Sequence, residues 1–306
     1  MIVSASRRTD LPAFYPAWLA ARFRAGEVLV RSPYAANRVH RLQLNPQTVD
    51  GIVFWTKNPV PLLPYLDVFA AYPYYFQFTL NAYGRDVEPG IPSKGQVLLP
   101  AFRQLAKQLG PERMVWRYDP IFFTAHYTPD YHRQYFRKLA SCLQGCTRTC
   151  VISFLDLYRD TLAGMSGTGL RQADRQQMQC LAKDLTRIAA GYGIRLCSCA
   201  EELTDLSIAP ARCIDPDRLS AQRGERWNVP RAAGQRPACR CAESVDIGAY
   251  DSCKGGCLYC YAGGRTGGKA ACHDPDSPLL IGRLTKEDRV EDRPMPRFSG
   301  GQLAWW

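Results

Sequence analysis

The first 26 residues, MIVSASRRTDLPAFYPAWLAARFRAG, contain one complete strand–helix unit. The apolar run Ile2–Ser4 predicts a strand, and a polar stretch follows where that strand would end. Asp10 can cap a helix over Pro12–Ala25, because proline is favoured in the first helical turn and Gly26 is a typical helix stop. A strand, a polar connection and a helix in this order are the building unit of an α/β fold.

The same alternation recurs about six times along the chain. Further strand-type runs are Gly51–Trp55, Tyr74–Leu80, Met114–Tyr118, Cys150–Leu155, Ile194–Cys199 and, more weakly, Ser244–Gly248. Helix-type runs between them are Pro64–Ala71, Val97–Leu109, Pro129–Leu143 and Ala173–Ala190. The strand runs are apolar throughout, as in strands buried on both faces, so we predict an α/β fold with a parallel sheet.

Polar residues recur where the predicted strands end. Such positions either form a pocket or are simply where strands emerge into water. No G-x-G-x-x-G follows the first strand, which argues against a dinucleotide-binding fold. A (β/α) barrel, in contrast, carries its functional face at the carboxyl ends of its strands. We therefore predict a partial or full TIM-like barrel over residues 1–206. Residues 207–306 would form a cysteine-rich segment packed on it, within a single structural unit.

Eight residues at the strand ends are candidates for contact with a substrate. They are Arg7, Arg8, Asp10, Lys57, Arg117, Asp119, Asp156 and Glu201. The arginines could bind a carboxylate or phosphate through two hydrogen bonds, and the lysine could act as a point charge. The acids could bind ribose hydroxyls or an amine. The same mixture of charges would also suit structural ion pairs across the mouth of a barrel.

Composition excludes several classes of protein. With 46% hydrophobic and 22% charged residues in 306, the chain is neither disordered, collagen-like nor a coiled coil. It has no membrane-length apolar run and no signal-type apolar run near its start, so we expect a cytosolic protein. The net charge of +11 indicates either an anionic partner, cofactor or substrate, or a basic surface.

Thirteen cysteines in such a chain point to metal or redox chemistry, since a reducing cytosol disfavours structural disulfides. The most specific pattern is Cys253-Lys-Gly-Gly-Cys257-Leu-Tyr-Cys260, a C-x3-C-x2-C triad. Zinc sites usually take four protein ligands, whereas a [4Fe–4S] cluster held by three cysteines keeps one iron open to a small molecule. The triad therefore predicts an iron–sulfur site.

This spacing, with Tyr259 directly before the third cysteine, resembles the cluster loop of the radical S-adenosylmethionine superfamily. The resemblance implies that Cys253, Cys257 and Cys260 hold a [4Fe–4S] cluster and that Tyr259 lies against the adenine of S-adenosylmethionine. It implies reductive cleavage of that cofactor to a 5′-deoxyadenosyl radical, which abstracts hydrogen from a substrate. In that superfamily the triad follows the first strand, whereas here it is near the end. The first and last strands of a barrel are, however, spatial neighbours.

The whole chain also resembles a bacterial family known as domain of unknown function 1848. The matching segments are Val3–Asp10, Gly51–Pro59, Trp116–Pro120, Cys199–Glu201, Cys213–Asp215 and Asp246–Tyr250 leading to the triad. That family is noted for a C-terminal cysteine cluster similar to the N-terminal cluster of the radical enzymes. The resemblance supports the fold and the cluster and supplies no substrate.

Four more cysteines lie between the sixth strand and the triad: Cys199, Cys213, Cys239 and Cys241. They could hold a second [4Fe–4S] cluster or a zinc ion, or be buried free thiols. Cys197 is left out of this set because it lies one step deeper in its strand. Cys142, Cys146 and Cys150 are interpreted as core or surface thiols.

Three functions remain open at this point. The first is a radical S-adenosylmethionine-type enzyme that needs a flavodoxin- or ferredoxin-type reductant. The second is a non-radical iron–sulfur protein that carries electrons or acts as a Lewis acid. The third is a zinc-dependent nucleic-acid-binding or repair protein using residues 212–240, where seven arginines stand against three acids, although no nucleic-acid-binding motif is present.

Overall fold

The computed structural model describes residues 1–201, 203–263 and 272–300. In chain order its strands are β1 (Ile2–Ala5), β2 (Glu27–Arg31), β3 (Arg38–Gln43), β4 (Gly51–Thr56), β5 (Tyr74–Thr79), β6 (Met114–Ile121), β7 (Thr149–Phe154), β8 (Arg195–Ser198), β9 (Ala209–Pro210), β10 (Val245–Asp246) and β11 (Arg289–Asp292). Its α-helices are α1 (Leu11–Phe14), α2 (Pro16–Ala25), α3 (Leu99–Leu109), α4 (Pro129–Leu143), α5 (Arg159–Gly164), α6 (Arg175–Ala190) and α7 (Pro216–Ser220).

Eight strands form one sheet in the order β10-β1-β4-β5-β6-β7-β8-β9, and every neighbouring pair is parallel. This confirms the predicted α/β fold with a parallel sheet. The sheet is open, because β9 and β10 are its two ends and do not pair with each other in the described part of the chain. The expectation of a full, closed barrel is therefore not confirmed.

One face of this sheet carries the four longest α-helices. Its side chains include Val3, Phe54, Phe76, Trp116 and Ile152, and they form the largest core together with apolar residues of α2, α3, α4 and α6. The short helix α7 lies on the other face, where its Leu219 is buried.

The other face is covered by the irregular segment 211–242. Val53, Tyr75 and Val151 of the sheet belong to a second core that includes Leu219 and Trp227 of this segment. The contact is close, because a Cβ atom added to Gly51 in β4 would lie 2.8 Å from the Leu219 side chain. In a closed barrel the strands' own side chains would fill this face. Here the segment occupies it.

A second, three-stranded sheet was not predicted. It has the order β11-β3-β2, with β11 parallel to β3 and β3 antiparallel to β2. In β3 and β11 several residues are exposed, so the continuous apolar runs used to find strands are missing there. Through β10 and β11, the last third of the chain is hydrogen-bonded to strands from its first 43 residues.

The predicted helix Pro12–Ala25 is two helices, α1 and α2. They meet at Pro16, whose missing N–H cannot continue a helix but is well tolerated in its first turn. The predicted helix Pro64–Ala71 is a 3₁₀ helix, Val60–Phe69. Among the described residues, none of the helices has the length and apolarity that crossing a bilayer requires.

Candidate functional site

A cavity of about 470 Å³ lies at the carboxyl ends of the parallel strands. Residues in or directly after the carboxyl-terminal parts of β1, β4, β5, β6, β7 and β8 all contribute to its wall. Of the predicted site residues, fifteen line it: Arg7, Arg8, Asp10, Lys57, Arg117, Asp119, Asp156, Cys199, Cys213, Cys239, Cys241, Cys253, Cys257, Tyr259 and Cys260. Residues scattered over most of the sequence therefore meet in one place, as strand ends of a parallel sheet do.

Glu201 is the exception. It does not line the cavity, and its Oε1 accepts a hydrogen bond of 3.1 Å from the backbone N–H of Phe154 at the end of β7. Burial raises the pKa of Glu201. The Glu201 carboxylate is therefore hydrogen-bonded to β7 and is not part of the cavity wall.

The triad loop, residues 253–260, follows β10 and forms one wall of the cavity. Neighbouring backbone fixes it, since Leu258 N–H donates to Val87 O at 3.0 Å and Gly90 N–H donates to Gly255 O at 3.1 Å. A Cβ atom on residue 90 would lie 2.7 Å from that carbonyl oxygen, so only glycine fits there without displacing the loop. Tyr15 adds a hydrogen bond of 2.5 Å to Ser252 O.

The three thiols of the triad are held in the protonated form by their surroundings. Burial raises the pKa of Cys253 to about 11 and that of Cys257 to about 12, and it also raises the pKa of Cys260. A metal centre would have to displace these protons, so its binding would be coupled to proton release.

The donor set of the triad is three thiols. Soft thiolates are ligands that iron–sulfur clusters take, so the residue types fit such a cluster. Within residues 1–201, 203–263 and 272–300, no three His, Cys, Asp or Glu side chains are placed to hold a metal ion. The three cysteines border the open cavity.

Glu88 joins the triad loop to the strand ends, and sequence reasoning missed it. It is almost fully buried, and its carboxylate lies 2.8 Å from Lys57 Nζ and 3.0 Å from Lys94 Nζ. The Tyr259 hydroxyl donates to it as well. Burial is the largest single influence and favours the neutral acid, but the positive charges of the two lysines and the hydrogen bonds from Lys57 and Tyr259 together outweigh it and lower the pKa of Glu88 to about 2. Glu88 therefore stays charged and fixes both Lys57 and Tyr259.

Asp246 holds the end of β1 against β10. Its carboxylate accepts from the Ser4 hydroxyl at 2.9 Å, from the Arg7 backbone N–H at 2.8 Å and from the Gly248 N–H at 3.0 Å. The Ser6 hydroxyl also donates to it. Asp246 stood in one of the family-like segments, but nothing in the sequence assigned it this role.

At the edge of the cavity, the Asp10 carboxylate accepts hydrogen bonds from the backbone. It accepts from the Ala13 N–H at 3.0 Å, which caps α1, and from the Lys57 N–H at 2.7 Å. Burial raises the pKa of Asp10 to about 6. Both carboxylate oxygens are therefore engaged by backbone in the described structure.

Two of the arginines in the cavity wall are paired with carboxylates. Arg117 pairs with Asp119, which also accepts from Ser153, and Arg236 pairs with Asp156. The sequence analysis left open whether these charges form structural ion pairs, and the structure contains two such pairs. Sequence reasoning counted Arg236 only as part of the arginine-rich stretch, because its position relative to Asp156 depends on how segment 211–242 folds back.

Arg8 differs from these residues. In the described part of the chain it makes no ion pair, and its guanidinium lies 5.2 Å from the ring centroid of Tyr250. Arg7 lies 3.9 Å from Asp246, at the limit of an ion pair. Among the predicted cations, Arg8 is therefore the one whose charge no described carboxylate neutralises.

The other cysteines discussed above fall into two groups. Cys150 is buried in the helix-side core, Cys146 is partly buried against that core and Cys142 is partly exposed, and none of the three lines the cavity. Cys199, Cys213, Cys239 and Cys241 lie together in the cavity wall, on the face covered by residues 211–242.

No curated protein matches the chain. One family model does, over residues 2–262, which include every strand of the eight-stranded sheet and the whole triad loop. This match confirms the family resemblance that the sequence segments indicated. The chain belongs to the family described as domain of unknown function DUF1848.

Proposed function

We propose that this protein is an iron–sulfur enzyme of the radical S-adenosylmethionine type, with its active site in the cavity at the strand ends. One observation carries the proposal. The thiols of Cys253, Cys257 and Cys260 border the same cavity as charged side chains from the ends of the parallel strands. The cavity also has a volume typical of small-molecule sites.

Cys253, Cys257 and Cys260 would hold a [4Fe–4S] cluster. The chemistry such a cluster supplies when bound is one-electron reduction of S-adenosylmethionine at its open iron. The electron would come from a flavodoxin- or ferredoxin-type donor. In this proposal the open sheet is a partial barrel, because its four longest α-helices cover one face and its strand ends border one cavity.

The chain's own residues would position the ligands. Lys57 and Tyr259 are fixed by Glu88, so they keep their places before any ligand binds. Arg8 would bind an anionic group of the cofactor or substrate, since no carboxylate in the described structure neutralises it. The Arg117–Asp119 and Arg236–Asp156 pairs offer both signs of charge to a polar substrate.

The test is anaerobic reconstitution with iron and sulfide, followed by incubation with dithionite and S-adenosylmethionine. We expect 5′-deoxyadenosine from the wild-type protein and none from the Cys253→Ala/Cys257→Ala/Cys260→Ala variant. Cys180→Ala, at an exposed position of α6, is the matched control and should retain product formation. Cluster absorbance without 5′-deoxyadenosine in the wild type would contradict the radical reaction and favour a non-radical iron–sulfur protein.

A further inference from the structure

Four cysteines from three separate parts of the chain meet on the sheet face that carries segment 211–242. Cys199 directly follows β8, Cys213 lies beyond β9, and Cys239 and Cys241 precede β10. All four are buried, with at most 8% of each residue exposed. The four buried thiols come from separate parts of the sequence, so the fold and not local spacing brings them together.

Two of the four sulfurs are in direct contact. The Cys213 thiol donates to Cys199 Sγ at 3.3 Å. Cys239 and Cys241 belong to the same buried core and line the same cavity. The four thiols therefore lie together on this face of the sheet.

Two guanidinium groups point at the same sulfurs. Arg117 Nη1 lies 2.9 Å from Cys213 Sγ, and Arg236 Nη2 lies 3.9 Å from Cys199 Sγ. Arg117 is itself buried. Cationic N–H donors stabilise thiolate sulfur, and such donors around metal-bound sulfurs tune the centre they surround.

The segment that carries three of these cysteines has little regular structure. Between Ala211 and Ala242 it contains only α7 and a single 3₁₀ turn, Ala221–Arg223. It nevertheless forms the second core of the protein. Cross-links at Cys213 and at the 239–241 pair would tie both ends of this segment to the end of β8.

We propose that Cys199, Cys213, Cys239 and Cys241 ligate a second metal centre that fixes segment 211–242 against the sheet. All four ligands come from the protein, so this centre is closed to substrate, in contrast to the triad site. Each metal–sulfur bond replaces an S–H bond and releases one proton. A zinc ion enters without a redox change, and a [4Fe–4S] cluster does so when it is assembled from two Fe²⁺, two Fe³⁺ and four sulfides. The side chains would have to move as the metal enters, because in the described structure no three His, Cys, Asp or Glu side chains are already placed to hold a metal ion. A zinc ion and a [4Fe–4S] cluster share this four-thiolate chemistry.

The proposal does not rest on the triad site, so it is tested in the Cys253→Ala/Cys257→Ala/Cys260→Ala variant. The variant protein is incubated anaerobically either with equal amounts of Fe²⁺ and Fe³⁺ plus sulfide or with Zn²⁺, then desalted and analysed for metal and acid-labile sulfide. We expect about four irons and four sulfides per chain in the first case, or about one zinc in the second. The metal that is retained identifies the centre.

A second readout needs no further variant. Reactive thiols of the triad variant are counted with a thiol reagent before and after loading, and we expect four fewer after it. Adding Cys213→Ala should abolish both the retained metal and the protection. Adding Cys197→Ala instead should leave both unchanged, because Cys197 lies two residues before Cys199 on the same sheet face but does not line the cavity as the other four do. If neither metal is retained and no thiols are protected, the proposal is wrong.

Discussion

At the residue scale, the Glu88 carboxylate holds several residues of the site in place, although no sequence motif indicated that it would. It lies in a connection after β5 with no motif around it, yet two lysines and Tyr259 converge on it. A buried carboxylate with two cationic partners is costly to disturb, because removing it leaves the positive charges without compensation.

We predict that Glu88→Ala lowers the free energy of unfolding by about 3 kcal/mol, since Lys57 and Lys94 then lose their shared partner. The measurement is urea unfolding of the metal-free protein. Glu112→Ala is the control, because its ion pair with Arg148 is more than half exposed on both sides and should contribute about 1 kcal/mol or less. Equal losses in the two variants would contradict the role given to Glu88.

Individual site residues were predictable where a strand end or a cysteine spacing indicated them. Lys57, Arg117 and Asp119 were found because parallel strand ends meet, and the structure places all three in the cavity wall. Glu88 and Arg236 lie in irregular connections, whose path depends on tertiary packing and not on local pattern. Glu201 was placed correctly at a strand end, but its side chain bonds to the neighbouring strand.

At the scale of elements, β6 and α4 are joined by a buried histidine. His132 of α4 lies 2.8 Å from the Tyr118 hydroxyl through Nδ1 and 2.9 Å from Phe122 O through Nε2. The carbonyl can only accept, so Nε2 carries the proton and Nδ1 accepts from Tyr118. Burial lowers the pKa of His132 to about 4, from the ordinary 6.5.

The unfolded chain therefore binds a proton at His132 at higher pH than the folded chain does. The contribution of His132 to the free energy of unfolding is therefore complete above the unfolded-state pKa of 6.5. It is lost as the pH falls toward the folded-state pKa of about 4. Between pH 7 and pH 5 the loss should be about 2 kcal/mol. We predict that His132→Gln removes this part of the pH dependence, measured by urea unfolding at both pH values.

The exposed His126, in the connection before α4, provides the comparison. His126→Gln should keep the full difference in stability between pH 7 and pH 5. An unchanged pH dependence in His132→Gln would show that other groups cause it.

The sequence predicted the central parallel strands well because each is a continuous apolar run between polar ends. It did not predict β3 and β11, whose partly exposed residues carry no such run, nor β2, in which only Val28, Leu29 and Val30 form a short apolar run. It also could not predict that β9 and β10 stay apart. Closure depends on what covers the inner face of the sheet, and here that is segment 211–242, a stretch without strong helix or strand periodicity.

At the scale of the whole molecule, we expect the packing of segment 211–242 against the sheet to contribute to the free energy of unfolding. Leu219 of α7 is fully buried and packs against the backbone of β4 at Gly51. We predict that Leu219→Ala costs about 2–5 kcal/mol of unfolding free energy, through lost apolar contact and the cavity left behind. Thermal and urea unfolding of the metal-free protein measure it.

Leu162→Ala is the matched control, because Leu162 also lies in a short helix, α5, but is 48% exposed. It should change the unfolding free energy by about 0.5 kcal/mol or less. A similar small effect for Leu219→Ala would mean that the segment rests only loosely on the sheet.

The pairing of β10 with β1 also fixes when the cavity can be completed during synthesis. Residues 253–260 supply one wall of it, and they are synthesised after all eight strands of the large sheet. Those strands can already associate with one another at that stage. A nascent chain stalled before residue 253 would consequently lack the three triad thiols, and the proposed open cluster could be loaded only after that point.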